Sequence, residues 1–93
     1  MKRIEPSETE IIGHYIGVQG QVSGDNSSRR VLDLITDYLE RLGRDDSGWD
    51  TLYRDPGDNR LWELIYLQSE LHGGGPPSLL LISQEEAAAK YRI

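Results

Sequence analysis

The chain contains no cysteine and no phenylalanine. Without thiols there is no disulfide, no thiolate nucleophile and no cysteine metal site, which argues against redox chemistry and against a disulfide-stapled secreted scaffold. Long apolar runs are missing as well. The longest, residues 79–82 (LLLI), falls far short of the ~20 residues that cross a bilayer, and no apolar stretch follows the charged start MKRIEP as a signal peptide requires. A soluble, cytoplasmic protein is expected. Basic charge is the third shortage: 10 Lys and Arg stand against 16 Asp and Glu, for a net charge of -6. Nucleic-acid affinity comes mostly from phosphate neutralisation by Lys and Arg, so direct nucleic-acid binding is not expected and a basic partner is favoured. What is present suffices to fold. Hydrophobic residues make up 37 % of the 93-residue chain, enough for one modest core and too few for two, so residues 1–93 form a single domain with a loosely held start over residues 1–9.

Periodicity divides the chain into elements. Residues 10–18 (EIIGHYIGV) are rich in β-branched and aromatic types and read as a strand, with a short second strand around Val22. From Ser27 the period changes: Val31, Leu34, Ile35, Tyr38, Leu39 and Leu42 recur at helical spacing. This predicts one long amphipathic helix, capped at Asp25, Asn26 or Ser27 and ended by a left-handed Gly43. Its outer face carries Arg29, Asp33, Asp37 and Arg41 at four-residue steps, with Glu40 and Arg44 as a further pair. Residues 49–54 (WDTLYR) alternate as a strand with one wetter face, and residues 60–67 (RLWELIYL) as a more central one. Between them, DPGDN is a turn in which Pro56 presets φ and Gly57 supplies a positive φ. The glycines and prolines of QSELHGGGPP make a loop. Residues 78–82 then form a buried strand, and Ser83 with Glu86 forms a capping box for a short helix through Tyr91. The fold class is α+β, with a mainly antiparallel sheet, one long amphipathic helix and a short C-terminal helix.

No catalytic constellation emerges. His14 and His72 are the side chains that titrate near neutrality unperturbed, yet His72 with Glu70 lacks any metal-ligand spacing such as HExxH. The GGGPP glycines lead into prolines and a strand, whereas a phosphate loop leads into a helix N-terminus. Asp50 and Glu63 could pair only on short strands that shape no deep pocket. Catalytic residues, cofactors and metals are therefore assigned to none. Trp49, Tyr53, Trp62 and Tyr66 are the large apolar payload of the hairpin. Most of them should fill the core, with Trp62 buried, while Trp49 or Tyr53 could stand exposed as an interface anchor.

Taken together, GWDTLYRDP at residues 48–56, RLWEL at residues 60–64 and QSELHGGGPP at residues 68–77 resemble the Imm27 family of small bacterial immunity proteins from polymorphic toxin systems. The tail, residues 79–82 followed by SQEEA and Lys90-Tyr91, is similar to that family's ending. Leu67, where relatives carry Pro, and Asn59, where Gly is frequent, depart from the pattern conservatively. The resemblance implies a non-enzymatic protein that binds and neutralises a cognate toxin domain. The acidic balance adds that this toxin is basic, for instance a nuclease, and that acidic side chains take the place of nucleic-acid phosphates. The expected partner-binding residues are Asp45, Asp46, Trp49, Asp50, Tyr53, Asp55, Asp58, Glu70 and His72. The alternative is an acidic protein-interaction or regulatory module unrelated to toxins.

Overall fold

A computed structural model describes residues 3–18, 21–24, 26–66 and 76–91. Seven strands and two helices follow in the order β1 (Glu10–Ile11), β2 (Tyr15–Val18), β3 (Gln21–Gly24), α1 (Asn26–Asp37), β4 (Glu40–Arg44), β5 (Thr51–Arg54), β6 (Leu61–Tyr66), β7 (Pro77–Ile82) and α2 (Gln84–Tyr91). Five strands make an antiparallel sheet in the order β1-β7-β6-β5-β4, with β6 at its centre, while β2 and β3 form a separate hairpin. The α+β class and the sheet read from the sequence are those observed.

The sheet is covered on both faces. On one face Tyr53, Trp62, Leu64 and Leu79 pack with Val31 and Leu34 of α1, with Leu39, and with Ile4 and Ile11. On the other, Leu52, Ile82 and the half-buried Leu61 pack with Ala87 and Tyr91 of α2. Double coverage corrects the expectation of a wetter face on β5, since Thr51, Leu52 and Tyr53 are all buried. A strand between two helical layers reads as continuously apolar because neither alternating face meets water. Trp62, opposite Tyr53 in the β5–β6 register, is fully buried as expected.

The predicted long helix is shorter, and its last residues are a turn and the start of a strand. After Asp37 the Leu39 amide donates to the Leu34 carbonyl at 2.7 Å, and residues 40–44 turn outward to pair with β5. The apolar stripe misled because Tyr38 and Leu39 satisfy it from the turn: Leu39 is buried and the Tyr38 hydroxyl reaches Asp55. Leu42, the last residue of the stripe, lies at a β-bulge between Arg41 and Gly43 and is exposed. Gly43 is thus a bulge residue without positive φ, as strand glycines often are, and not a helix cap. Glu40 bonds Arg54 across the strands, not Arg44 along a helix.

The first predicted strand is also divided, at Gly13. A Cβ there would lie 2.2 Å from the Pro77 carbonyl oxygen and 2.5 Å from Ser28 Oγ. The Gly13 amide donates to Ser78 Oγ at 2.9 Å. The chain crosses the start of β7 at a separation only glycine allows. The residues before it are pinned by arginines: Arg60 donates to the carbonyls of Glu5, Pro6 and Glu8, and Arg30 to the Glu8 carboxylate and the Arg3 carbonyl.

In the β5–β6 turn the left-handed residue is Asn59, at φ 64°, and not Gly57. Gly57 is needed for space, because a Cβ there would lie 2.8 Å from the Tyr38 hydroxyl. Ser83 caps α2 as read, with the Glu86 amide donating to Ser83 Oγ at 3.1 Å, and the Glu86 side chain reaches back to the Ser83 hydroxyl, which donates to its Oε1 at 3.0 Å. No helix among the described residues is long and apolar enough to cross a membrane.

Candidate functional site

Residues 45–50 join β4 to β5 through a turn organised by one carboxylate. Asp45 Oδ1 accepts from the Ser47 hydroxyl at 2.7 Å, the Gly48 amide at 3.0 Å and the Asp50 amide at 3.3 Å. The Asp45 amide donates to the Asp50 carbonyl at 3.0 Å, which closes the loop, and Gly48 takes φ 78°. The bond from Ser47, with those from the Gly48 and Asp50 amides, holds the Asp45 carboxyl below the usual carboxylate range. Asp45 is thus the frame of the turn. Ser47 Oγ in turn receives the Trp49 amide at 3.2 Å.

Trp49 projects from this frame into solvent and is 64 % exposed, far more than any other large apolar side chain described. Beside it Asp46 is exposed, and Asp50 is half-buried because Lys90 of α2 donates to Asp50 Oδ2 at 2.8 Å. Lys90 also bonds Glu63, whose Oε2 accepts from the Tyr91 hydroxyl at 2.9 Å. One ammonium therefore bridges the turn, the central strand and the second helix. Burial and then the Glu63 hydrogen bond push the Tyr91 hydroxyl upward in pKa, so it stays a donor to Glu63. The same bridge occupies Asp50 and Glu63, the carboxylates that could have formed an acid–base pair.

The expected partner-binding residues separate by placement. Asp45, Asp46, Trp49 and Asp50 come together in one turn. Tyr53 is 7 % exposed and packs in the core, whereas Asp55 is 2 % exposed and serves the far turn. Asp55 Oδ1 accepts from the Tyr38 hydroxyl at 2.6 Å and from the Gly57 amide at 2.8 Å. Asp58 binds the Arg60 amide at 3.0 Å and its guanidinium at 2.6 Å in that same far turn. Glu70 and His72 lie outside the described residues. Among the described residues no group of three or more His, Cys, Asp or Glu side chains is placed to hold a metal ion.

Sequence reasoning missed Lys90 as the tie between α2 and the turn, and it missed the edge position of β4. A Lys on a helix that faces one turn carboxylate and one strand carboxylate, 40 and 27 residues away, leaves no local pattern. The edge strand was hidden by a helical period that continues through Leu42. A shallow groove of about 740 Å³ opens near the bulge, lined in part by Leu42, Arg54, Leu61 and Ile82. Both of its arginines are already engaged, Arg54 with Glu40 and Arg60 with Asp58.

One feature thus stands out, an exposed aromatic on a braced turn. No curated protein and no solved structure matches the chain. A family model does, that of Immunity protein 27, and it spans residues 18–83, from the end of β2 to the residue that caps α2. That span is well over half of the sequence and holds the braced turn, the far turn and the central strands, so the chain belongs to the Immunity protein 27 (Imm27) family.

Proposed function

We propose that this protein binds a cognate toxin domain in the cytoplasm and neutralises it by occlusion rather than by catalysis, with the 45–50 turn as its anchor. The observation that carries the site is Trp49. Its hairpin partners Tyr53 and Trp62 are buried, yet Trp49 stands 64 % exposed on a turn whose amides are fixed by Asp45. An exposed indole costs solubility without contributing to the core. Held rigidly, it loses little conformational freedom on binding and has the character of an interface hot spot. Membership of the immunity family supplies the class of partner. The net charge of -6 supports a basic toxin, a nuclease whose phosphate-binding surface is met by Asp46 and the neighbouring carboxylates.

The test is co-expression with candidate toxin domains encoded by the genes adjacent to this one. Growth restored by this chain, together with a stoichiometric complex on purification, supports the reading. Unrelieved toxicity, or relief without a complex, contradicts occlusion.

A further inference from the structure

We infer that the free edge of the sheet, β4, is a second half of the docking surface and takes an acidic, extended segment of the partner. This rests on the reading of the protein as the binder of a cognate toxin and adds what the partner must present.

Among the described residues β4 is the end strand of the sheet and pairs on one side only, with β5. All but one of its residues are exposed and the exception, Gly43, is half-buried. At Gly43 a Cβ would meet nothing within 4 Å, so the sheet face beside the edge is also uncovered there. Arg41 stands opposite Tyr53 and Arg44 opposite Thr51, and the intervening bulge puts both arginines on the same face of the sheet. They border a concavity of about 530 Å³ that includes Leu42 and Gly43.

The two guanidiniums differ from their neighbours in being uncommitted. Arg54 is held by Glu40, Arg60 by Asp58 and three backbone carbonyls, and Arg30 by Glu8. No ion pair among the described residues engages Arg41 or Arg44. Edge strands often carry charge to prevent indiscriminate pairing. Mixed signs would serve that purpose without placing two like charges side by side. Two unpaired cations on one face of an open edge instead select an anionic strand, with backbone hydrogen bonds for affinity and carboxylates at alternate positions for specificity.

A second copy of the chain fits less well. Antiparallel self-pairing would set Glu40 against Arg44, but Glu40 is already bonded to Arg54, and both copies carry a net charge of -6. The edge and the Trp49 turn belong to one hairpin, so the surface is continuous and two-signed: acidic and aromatic at the tip, basic along the strand.

The test titrates the full chain with two capped heptapeptides, alternating Glu-Val and alternating Lys-Val, and follows backbone amides by NMR. The Glu-Val peptide is expected to shift amides of residues 40–44 at about millimolar concentration, with the Lys-Val peptide inert. The variant R41E/R44E should lose at least about tenfold in affinity for Glu-Val and turn to Lys-Val. R41Q/R44Q, which keeps long polar side chains over Tyr53, should lose binding with the melting temperature unchanged. Equal response to both peptides, shifts confined elsewhere, or a concentration-dependent dimer that perturbs residues 40–44 without peptide would each overturn the inference. Peptide binding without toxin rescue supports the edge and overturns the toxin reading. Rescue with an R41E/R44E complex of unchanged affinity and salt dependence overturns the edge alone.

Discussion

At the scale of single residues, two aspartates with the same chemistry do structural work that a composition count assigns to solvation. Asp55 gathers the Tyr38 hydroxyl and the Gly57 amide. Replacing it with Ala leaves a half-buried hydroxyl and a turn amide without their acceptor, at a cost of about 1–3 kcal/mol measurable by urea unfolding. Trp62 is fully buried, and its indole Nε1 finds no hydrogen-bond partner among the described residues, while the Arg60 guanidinium stacks 5.2 Å from the ring centroid. Trp62→Ala should therefore cost ~3–5 kcal/mol through lost volume, a large part of the ~5–15 kcal/mol that holds such a domain together. Trp62→Phe should cost distinctly less, because no indole hydrogen bond is given up. Equal costs would show that the indole nitrogen matters. Asp45 gives the pH prediction. Its carboxyl sits below its ordinary value in the folded state, so its contribution is complete above that ordinary value, near pH ~3.9, and is lost as the pH falls through the lower folded value. Trp49 fluorescence should report the turn loosening on acidification in that window, and Asp45→Asn should weaken the dependence.

Among the elements, α2 depends on a polar anchor as much as an apolar one. Ala87 and Tyr91 provide its buried face, while Lys90 bridges Asp50 and Glu63. Lys90→Met keeps the aliphatic length but leaves Glu63, which is 8 % exposed, without its cation. Because Lys90 itself is partly in water, the expected loss is about 1–3 kcal/mol rather than the full penalty of a buried pair. Hydrogen exchange should show α2 and the 45–50 turn opening together in the wild-type chain and separately in that variant; coupling unchanged by the substitution would contradict the tie. The elements also show where local pattern suffices. The cap at Ser83, the β5–β6 hairpin and the buried β7 follow from short-range chemistry and were legible. The end of α1 was not, because a helical stripe through Leu42 is equally satisfied when Tyr38 and Leu39 fill the core from a turn and the chain then supplies an edge strand. Gly57 was misread for a related reason: its need is space beside the Tyr38 hydroxyl, a contact made by a residue far away in sequence.

For the molecule as a whole, the sequence showed the fold class, the family and the acidic balance, but not the distribution of charge. The site was legible in part. Asp45, Asp46, Trp49 and Asp50 are neighbours in sequence and meet in one turn, whereas Tyr53 and Asp55 are withdrawn into the fold by a sheet covered on both faces, which alternation along β5 alone did not reveal. The surface that results is not uniformly acidic, since Arg41 and Arg44 line the open edge next to the acidic turn. Association with a basic toxin should accordingly slow as salt rises, with dissociation less affected, because long-range attraction governs encounter and buried anchors govern residence. A salt-independent association rate would remove net charge from the account.

In the proposed complex Trp49, placed by the braced turn, anchors the toxin. The most direct measurement is the dissociation constant of the toxin domain for the wild-type chain and for Trp49→Ala, with thermal unfolding of both free proteins in parallel. Loss of the indole should weaken the complex by about 2–4 kcal/mol, roughly thirtyfold or more, while the free protein melts as before because the side chain contributes little to the core. An unchanged dissociation constant would place the interface elsewhere.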